Sequence, residues 1–370
     1  MEIVISKLGS LLGEWQNEVQ FDLSSSGVDA MELHELVSLE EFSELHRTVK
    51  LRYIQTNGPL PLREAIRRRY PGADVKNIHV ANGSCEVLML MLWKFCEPSY
   101  ELVQLSPNYP LIGSLARSFG AIVKNVPLVR EKNWAVDLDA FEDTISPSTK
   151  MIYISNPNNP TGSILTDVEM EAIVRIASKV NAWLIADEIY HGAELSGEPT
   201  CSFWGRYDKL LVTSGLSKTY GLAGLRLGWV VGPEQTIAEI RHYHDYTTTT
   251  TTAISAELAR LALEPEREAR IFERTREISH RNYQVLYDWI AEHSKLLTSV
   301  PTKIGGLAFF GYQLDIPSDA FAKQIIQEVS VLLAPGSYFG VEHHFRIGYS
   351  VPYLREGLNR LGEVFNRYNS

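Results

Sequence analysis

Through its middle the chain alternates short apolar, β-branched runs with stretches of helical period. Candidate strands are residues 78–82 (IHVAN), 101–105 (ELVQL), 121–128 (AIVKNVPL), 151–155 (MIYIS), 182–187 (AWLIAD), 209–213 (KLLVT) and 227–231 (LGWVV). Several are apolar throughout instead of alternating, as expected of strands covered on both faces. Between them, 167–180 carries a full helix signature. Thr166 and Glu169 have capping-box spacing, Leu165 and Met170 fit a hydrophobic staple, and Met170, Ile173, Val174 and Ala177 form one apolar stripe. From about 253 to 295 the pattern is long and helical. Beyond it, short strands (307–314, 330–334, 345–349) mix with helices at 318–329 and 353–368. The first 50 residues are mixed in character, with Ser24-Ser25-Ser26-Gly27 reading as a loop. This order predicts an α/β protein. Its large domain, 49–265, has a mainly parallel seven-stranded sheet flanked by helices. A smaller α+β domain follows at 266–370, and 1–48 forms an N-terminal segment. No internal repeat is visible. The six threonines Thr247 to Thr252 fit a strand, a helix start or a loop, and composition alone assigns them no chemistry.

With 370 residues the chain has room for a substantial core and two lobes. The formal charge is −10, from 35 basic and 45 acidic residues, and the longest cationic run is Arg67-Arg68-Arg69, which argues against a nucleic-acid partner. No stretch approaches the roughly 20 apolar residues needed to span a bilayer, and the N-terminus lacks the features of a secretory signal. A soluble, cytoplasmic protein with no membrane partner is expected. Cys85, Cys96 and Cys201 have neither CxxC nor His-rich spacing, so no disulfide framework and no metal site is expected. They read as small buried or half-buried residues.

Four places carry chemistry. Asn82, Gly83, Ser84 and Cys85 lie between a strand and the helix expected over 86–96, where backbone N–H groups and the helix dipole suit a phosphate. Asn156-Pro157-Asn158-Asn159-Pro160-Thr161-Gly162 follows the strand ending at Ser155. Its prolines fix the direction of the intervening asparagines at the strand's C-terminal edge, where ligands of open α/β sheets bind. Asp187 emerges from a buried strand and needs a partner, either an arginine or a ligand cation. Lys218, in Ser214-Gly215-Leu216-Ser217-Lys218, sits on a small-residue loop beside an apolar sheet, where a lysine loses its proton more readily than at the surface. Arg226, eight residues on, offers a planar fork to a phosphate dianion.

The ordered set Gly83-Ser84, Tyr109, Asn159 in NPNNPTG, Asp187 and Tyr190 in DEIY, Lys218 in SGLSK, Arg226 in GLRLGW and Arg346 in FRIGYS resembles the class I/II aminotransferase superfamily of pyridoxal 5'-phosphate (PLP) fold type I. The resemblance runs over most of the chain. It implies PLP as cofactor, held by Lys218 as a Schiff base, with Lys218, Asp187 and Tyr190 as the catalytic groups. Tyr109 would stack on the pyridine ring, Asn159 and Tyr190 bond its phenolic oxygen, and Asp187 pair its ring nitrogen. Ser217, Arg226 and the turn Gly83-Ser84-Cys85 would hold its phosphate. Arg346 would clamp the substrate α-carboxylate, with Ser26, Gly27 and Asn159 also on the substrate side. The resemblance further implies a homodimer with active sites at the interface, Tyr53 reaching the neighbour's phosphate, and an N-terminal segment that joins the small lobe and covers the site. Many relatives carry Ser or Thr three residues before the lysine, where this chain has Gly215, so the phosphate must rely on other donors.

These motifs serve transamination, elimination and ring closure alike. A finer likeness, in Phe21-Asp22-Leu23-Ser24-Ser25-Ser26-Gly27-Val28 together with SGLSKTYGLAGLRLGW, is to the branch of capreomycidine synthase and of the enduracididine-forming cyclodehydratases of guanitoxin biosynthesis. That likeness implies a lyase and cyclase of natural-product biosynthesis. It would take a hydroxylated arginine, 4-hydroxy-L-arginine, to a cyclic guanidine amino acid by α- and β-deprotonation, loss of the γ-hydroxyl as water and addition of the guanidine. Glu14, Glu18 and Asp29 are available to a guanidinium, but none is assigned to it. The alternative is an aminotransferase passing nitrogen to a 2-oxo acid. A PLP-fold transcriptional effector is disfavoured, because no helix-turn-helix or basic face accompanies the core.

Overall fold

The computed structural model describes residues 2–368. Its larger sheet runs in the spatial order Ile78–Ala81, Gly228–Val231, Leu210–Gly215, Trp183–Asp187, Thr149–Ser155, Glu101–Ser106, Ile122–Val129, Ala135–Val136. The strands from Leu210–Gly215 to Ile122–Val129 pair in parallel, and Gly228–Val231 is antiparallel to both its neighbours. The seven expected strands are joined by an eighth, Ala135–Val136, antiparallel on the edge. Two residues are too few to show a period.

The uniformly apolar strands have both faces covered. Ile152, Ile154, Leu184 and Val212 enter one buried cluster, whereas Met151, Tyr153, Ile185 and Leu211 enter another on the opposite face. The helix Asp167–Lys179 begins at the expected capping box: Thr166 Oγ1 accepts from Glu169 N–H at 3.3 Å, and Glu169 Oε2 accepts from Thr166 N–H at 2.7 Å. The long helical stretch is two helices, Ala253–Ala262 and Pro265–Glu292. Pro265 starts the second one at a position where its missing N–H costs nothing. The threonine run is a loop whose last member, Thr252, caps Ala253–Ala262 by accepting from Ser255 N–H at 3.2 Å.

Pro265–Glu292 starts with Ile271 in the larger sheet's cluster and ends with Leu286, Trp289 and Ile290 in a second core. There a four-stranded antiparallel sheet, Leu297–Ser299, Leu307–Tyr312, His344–Gly348 and Ala334–Pro335, packs with the helices Ser318–Val329 and Leu354–Asn366. Near the N-terminus, Phe21–Asp22 pairs in parallel with Val331–Leu332. The next residues leave that ladder and cross to the larger sheet, where Val28 N–H bonds the Lys218 carbonyl at 3.4 Å. Among the described residues no helix is long and apolar enough to cross a membrane.

Gly228 sets how closely the larger sheet meets the helix Ser84–Phe95, since a Cβ on it would stand 2.4 Å from Ser84 N. Gly228→Ala is expected to lower stability by about 1–3 kcal/mol, as over-packing does, and to weaken PLP retention with it. Urea denaturation and PLP titration of the variant check both effects.

Candidate active site

The strands Thr149–Ser155, Trp183–Asp187 and Leu210–Gly215 all end at one edge of the sheet, where Ser155, Asp187 and the loop bearing Ser217 and Lys218 emerge together. Ser84, Cys85, Tyr109, Asn159, Asp187, Tyr190, Ser217, Lys218 and Arg226 line a single cavity of about 150 Å³ there. Leu88, Ser155, Ile189 and Ala223 complete its wall. The family motifs, spread over more than 140 positions of sequence, thus converge on one small space.

Asp187 forms the buried end. Its Oδ2 accepts from the Tyr153 hydroxyl at 2.8 Å and its Oδ1 from Ile189 N–H at 3.3 Å. Burial pushes its pKa up, while the bonds from Tyr153 and Ile189 and the charge of Lys218 pull it back. A buried carboxylate in this state gains from a ligand cation placed against it. The motifs did not single out Tyr153. Its signal was a lone hydroxyl-bearing ring in an otherwise aliphatic strand, since a buried tyrosine needs a partner for its O–H.

Lys218 faces the same space. Desolvation, reinforced by the charges of Arg346 and Arg226, brings its pKa down to about 8. Its amine is therefore available as a nucleophile and proton carrier near neutral pH.

The phosphate-like end is built mostly from backbone. Gly83, at φ +85°, is the N-cap of Ser84–Phe95, so the first turn of that helix, with its N–H groups unpaired within the helix, lies at the cavity wall formed by Ser84 and Cys85. A Cβ at Gly83 would lie 2.6 Å from Arg226 Nη2, so only glycine lets the guanidinium come this close. Arg226 is exposed at the mouth, and its Nη1 donates to the Ala223 carbonyl at 3.0 Å and to Ser217 Oγ at 3.5 Å. The departure at Gly215 has a steric reason. A Cβ there would meet the Leu227 carbonyl oxygen at 2.8 Å and Gly228 Cα at 3.0 Å, which leaves no room for a serine or threonine.

Beside the cavity, Asn159 Nδ2 donates to the Tyr190 hydroxyl at 3.2 Å, and Arg346 Nη1 donates to Asn159 Oδ1 at 3.1 Å. Arg346 is 2% exposed. Its Nη2 donates to the Ser24 carbonyl at 2.6 Å, and its guanidinium carbon stands 4.9 Å from the centre of the Phe339 ring. Its Nε has no partner among the described residues. Such a buried cation, without a carboxylate in salt-bridge contact, favours an anionic ligand.

Ser26 and Gly27 lie just outside the cavity wall. The Ser26 side chain bonds Tyr190, and Gly27 is packed so that a Cβ would sit 3.3 Å from the Ser217 carbonyl oxygen. Tyr53 is 83% exposed and does not line this cavity of its own chain. Two cysteines depart from expectation: Cys85 and Cys201 are exposed, and only Cys96 is half-buried. Cys85 is exposed because a helix N-terminus that opens toward a ligand also opens its first side chains.

A buried acid for a ring cation, an accessible amine, and a helix terminus with an arginine for a phosphate are together the donor set of a PLP enzyme, and the residues present fit that cofactor. The sequence profile of the family "Aminotransferase class I and II" matches residues 19–361. The chain belongs to that family, and its cofactor is pyridoxal 5'-phosphate. It is 29% identical to capreomycidine synthase of Streptomyces vinaceus, over 95% of this chain and 92% of that one. It is 27% identical to aromatic-amino-acid aminotransferase 2 of Thermococcus litoralis, over 84% and 83%. Among solved structures, a PLP-dependent aminotransferase from Streptococcus suis superposes with a TM-score of 0.93 at 30% identity, covering both chains completely. The PLP-dependent cyclase OrfR shares the fold at a TM-score of 0.89 and 23% identity, over 100% of this chain and 98% of that one.

Covalent capture of PLP by the apo-protein, trapped with borohydride and read by mass spectrometry, is expected to speed up with pH through a midpoint near 8. The sign follows from burial disfavouring the ammonium form of Lys218: below about 8 the group is protonated and unreactive. A midpoint near the ordinary 10.5, or capture by Lys218→Ala, would contradict the assignment.

Proposed function

We propose that the protein is a PLP-dependent cyclodehydratase that converts 4-hydroxy-L-arginine into a cyclic guanidine amino acid of the enduracididine type. Arg346 binds the substrate α-carboxylate, with Asn159 fixing the direction of its fork. Ser217, Arg226 and the turn Gly83-Ser84-Cys85 would hold the cofactor phosphate, Tyr109 would stack on the ring, Asn159 and Tyr190 would bond its phenolic oxygen, and Asp187 would pair its ring nitrogen. When bound, PLP withdraws the electron pair left at the substrate α-carbon. Lys218 Nζ would take the α-proton and give it up to the conjugated system, then take a β-proton and pass it to the γ-hydroxyl, which departs as water, while a guanidine nitrogen bonds to the γ-carbon and loses its proton. The same amine returns protons to the carbon skeleton. The net change is one C–O bond broken, one C–N bond made and one water lost.

The observation that carries this reading is the course of Phe21–Val28. Ser24 bonds Arg346, Ser26 bonds Tyr190 and Val28 bonds the Lys218 backbone. A segment on which, together with SGLSKTYGLAGLRLGW, the likeness to the capreomycidine synthase branch rests is therefore laid against the reacting groups. Covered in this way, the site would keep bulk water from the γ-carbon and leave the tethered guanidine as the nucleophile at hand. In this reading the chain works as a homodimer, with Leu51 and Tyr53, 91% and 83% exposed, turned to the partner and Tyr53 reaching its phosphate. Transamination is the second reading, supported by the 30% identity to the Streptococcus suis aminotransferase over the full length of both chains.

PLP-loaded protein given 4-hydroxyarginine and no 2-oxo acid is expected to yield a product lighter by one water with all nitrogen retained, and Lys218→Ala none. Conversion to the 2-oxo acid only when 2-oxoglutarate is added would replace cyclisation with transamination.

A further inference from the structure

A second cavity, of about 340 Å³, lies between the N-terminal helix Lys7–Trp15, the end of the strand Glu101–Ser106, the helix Pro110–Ser118 and the turn Gly336–Phe339. Its lining contains two cations, Lys7 and Arg117, and no acidic residue, in a chain of net charge −10. Both cations are exposed, and neither makes an ion pair among the described residues. They stand at the rim. Two of the most deeply buried lining groups are amides, Gln104 at 8% and Asn108 at 4% exposure. Asn108 Nδ2, a donor, and Gln104 Oε1, an acceptor, have no hydrogen-bond partner among the described residues. The other half of each amide is satisfied, Gln104 Nε2 donating to Asn125 Oδ1 at 3.0 Å and Asn108 Oδ1 accepting from Tyr109 N–H at 2.8 Å, so one buried atom on each side chain is left to a ligand. Gly113 keeps the space open: a Cβ there would lie 3.1 Å from Gln104 Nε2 and 3.3 Å from Arg117 Nη1, which places the guanidinium close to the amide.

We propose that this cavity binds a small oxyanion that also carries an O–H, namely hydrogen phosphate or a hydroxy-carboxylate. The charge sits between Lys7 and Arg117, an oxygen accepts from Asn108 Nδ2, and the O–H donates to Gln104 Oε1. The site is separate from the catalytic cavity yet touches two of its supports. Asn108 directly precedes Tyr109, and Phe339, another lining residue, carries the Arg346 guanidinium on its ring. The N-terminal helix contributes Lys7 and Leu8 to the lining, and the chain runs on from it to Phe21–Val28. An anion held here therefore ties the cover of the active site to the large domain. The proposal assumes nothing about which reaction the enzyme performs.

The test is calorimetric titration of the full-length, PLP-loaded protein with inorganic phosphate, with PLP absorbance followed throughout. Saturable binding is expected. Arg117→Ala should weaken it by about tenfold, the loss of one charge-assisted bond. Arg346→Lys should leave it unchanged. Sulfate, which carries no proton near pH 7, should bind more weakly than phosphate, and Gln104→Leu should erase that difference. Arg117 and Lys7 are exposed, so their variants are expected to keep the wild-type melting profile. Absence of saturable heat overturns the site, as does binding that survives Lys7→Ala and Arg117→Ala together. Heat that vanishes in Arg346→Lys or accompanies PLP release belongs to the catalytic cavity and overturns it equally.

Discussion

Asp187, Lys218 and Arg346 are three ionisable groups held where water scarcely reaches, and most of the molecule's local detail exists to make that tolerable. Each alone would be costly to desolvate, by several kcal/mol per ion. The chain answers differently in each case: a tyrosine hydroxyl and a backbone N–H for Asp187, a lowered proton affinity for Lys218, an amide and a carbonyl for Arg346. None of the three is neutralised outright by a full ion pair. That incompleteness is what gives a charged cofactor and a charged substrate something to bind to.

The parallel strands provide the geometry. Adjacent strands in register bring Ser155 and Asp187 side by side, and the turn after Leu210–Gly215 puts Lys218 across from them. The small lobe adds Arg346 from a buried strand, and the N-terminal crossing adds Ser24 and Ser26. One space is thus walled by parts of the chain that share no local interaction. The hydrogen bonds through Asn159, from Tyr190 on one side to Arg346 on the other, join the two lobes directly.

Much of this could be read from the sequence, for identifiable reasons. Doubly covered strands announce themselves as unbroken apolar runs, and the Thr166–Glu169 box marks its helix to the residue. The family motifs named nine side chains that line one cavity, because each lies in a rigid strand end or turn with its own spacing. What stayed hidden depends on packing between distant segments. The break at Leu263-Glu264 lay inside one continuous helical pattern, and Ala135–Val136 was too short to carry a period. Tyr153 acts through the neighbouring strand, and the exposure of Cys85 follows from a helix end left open for a ligand. The cavity under Lys7–Trp15 draws its residues from four separated stretches, none of which is a motif.

Gly83, Gly215 and Gly228 lie within contact of one another's neighbourhoods: the first admits Arg226, the second fits against Leu227 and Gly228, and the third fits against Ser84. The turn at Gly83, the Arg226 guanidinium and the end of the strand Leu210–Gly215 are therefore fitted together with almost no spare room. A side chain at Gly83 would displace the Arg226 guanidinium, and one at Gly228 would push back the first turn of the helix Ser84–Phe95. The spacing of this corner of the cavity is thus set by what three residues lack.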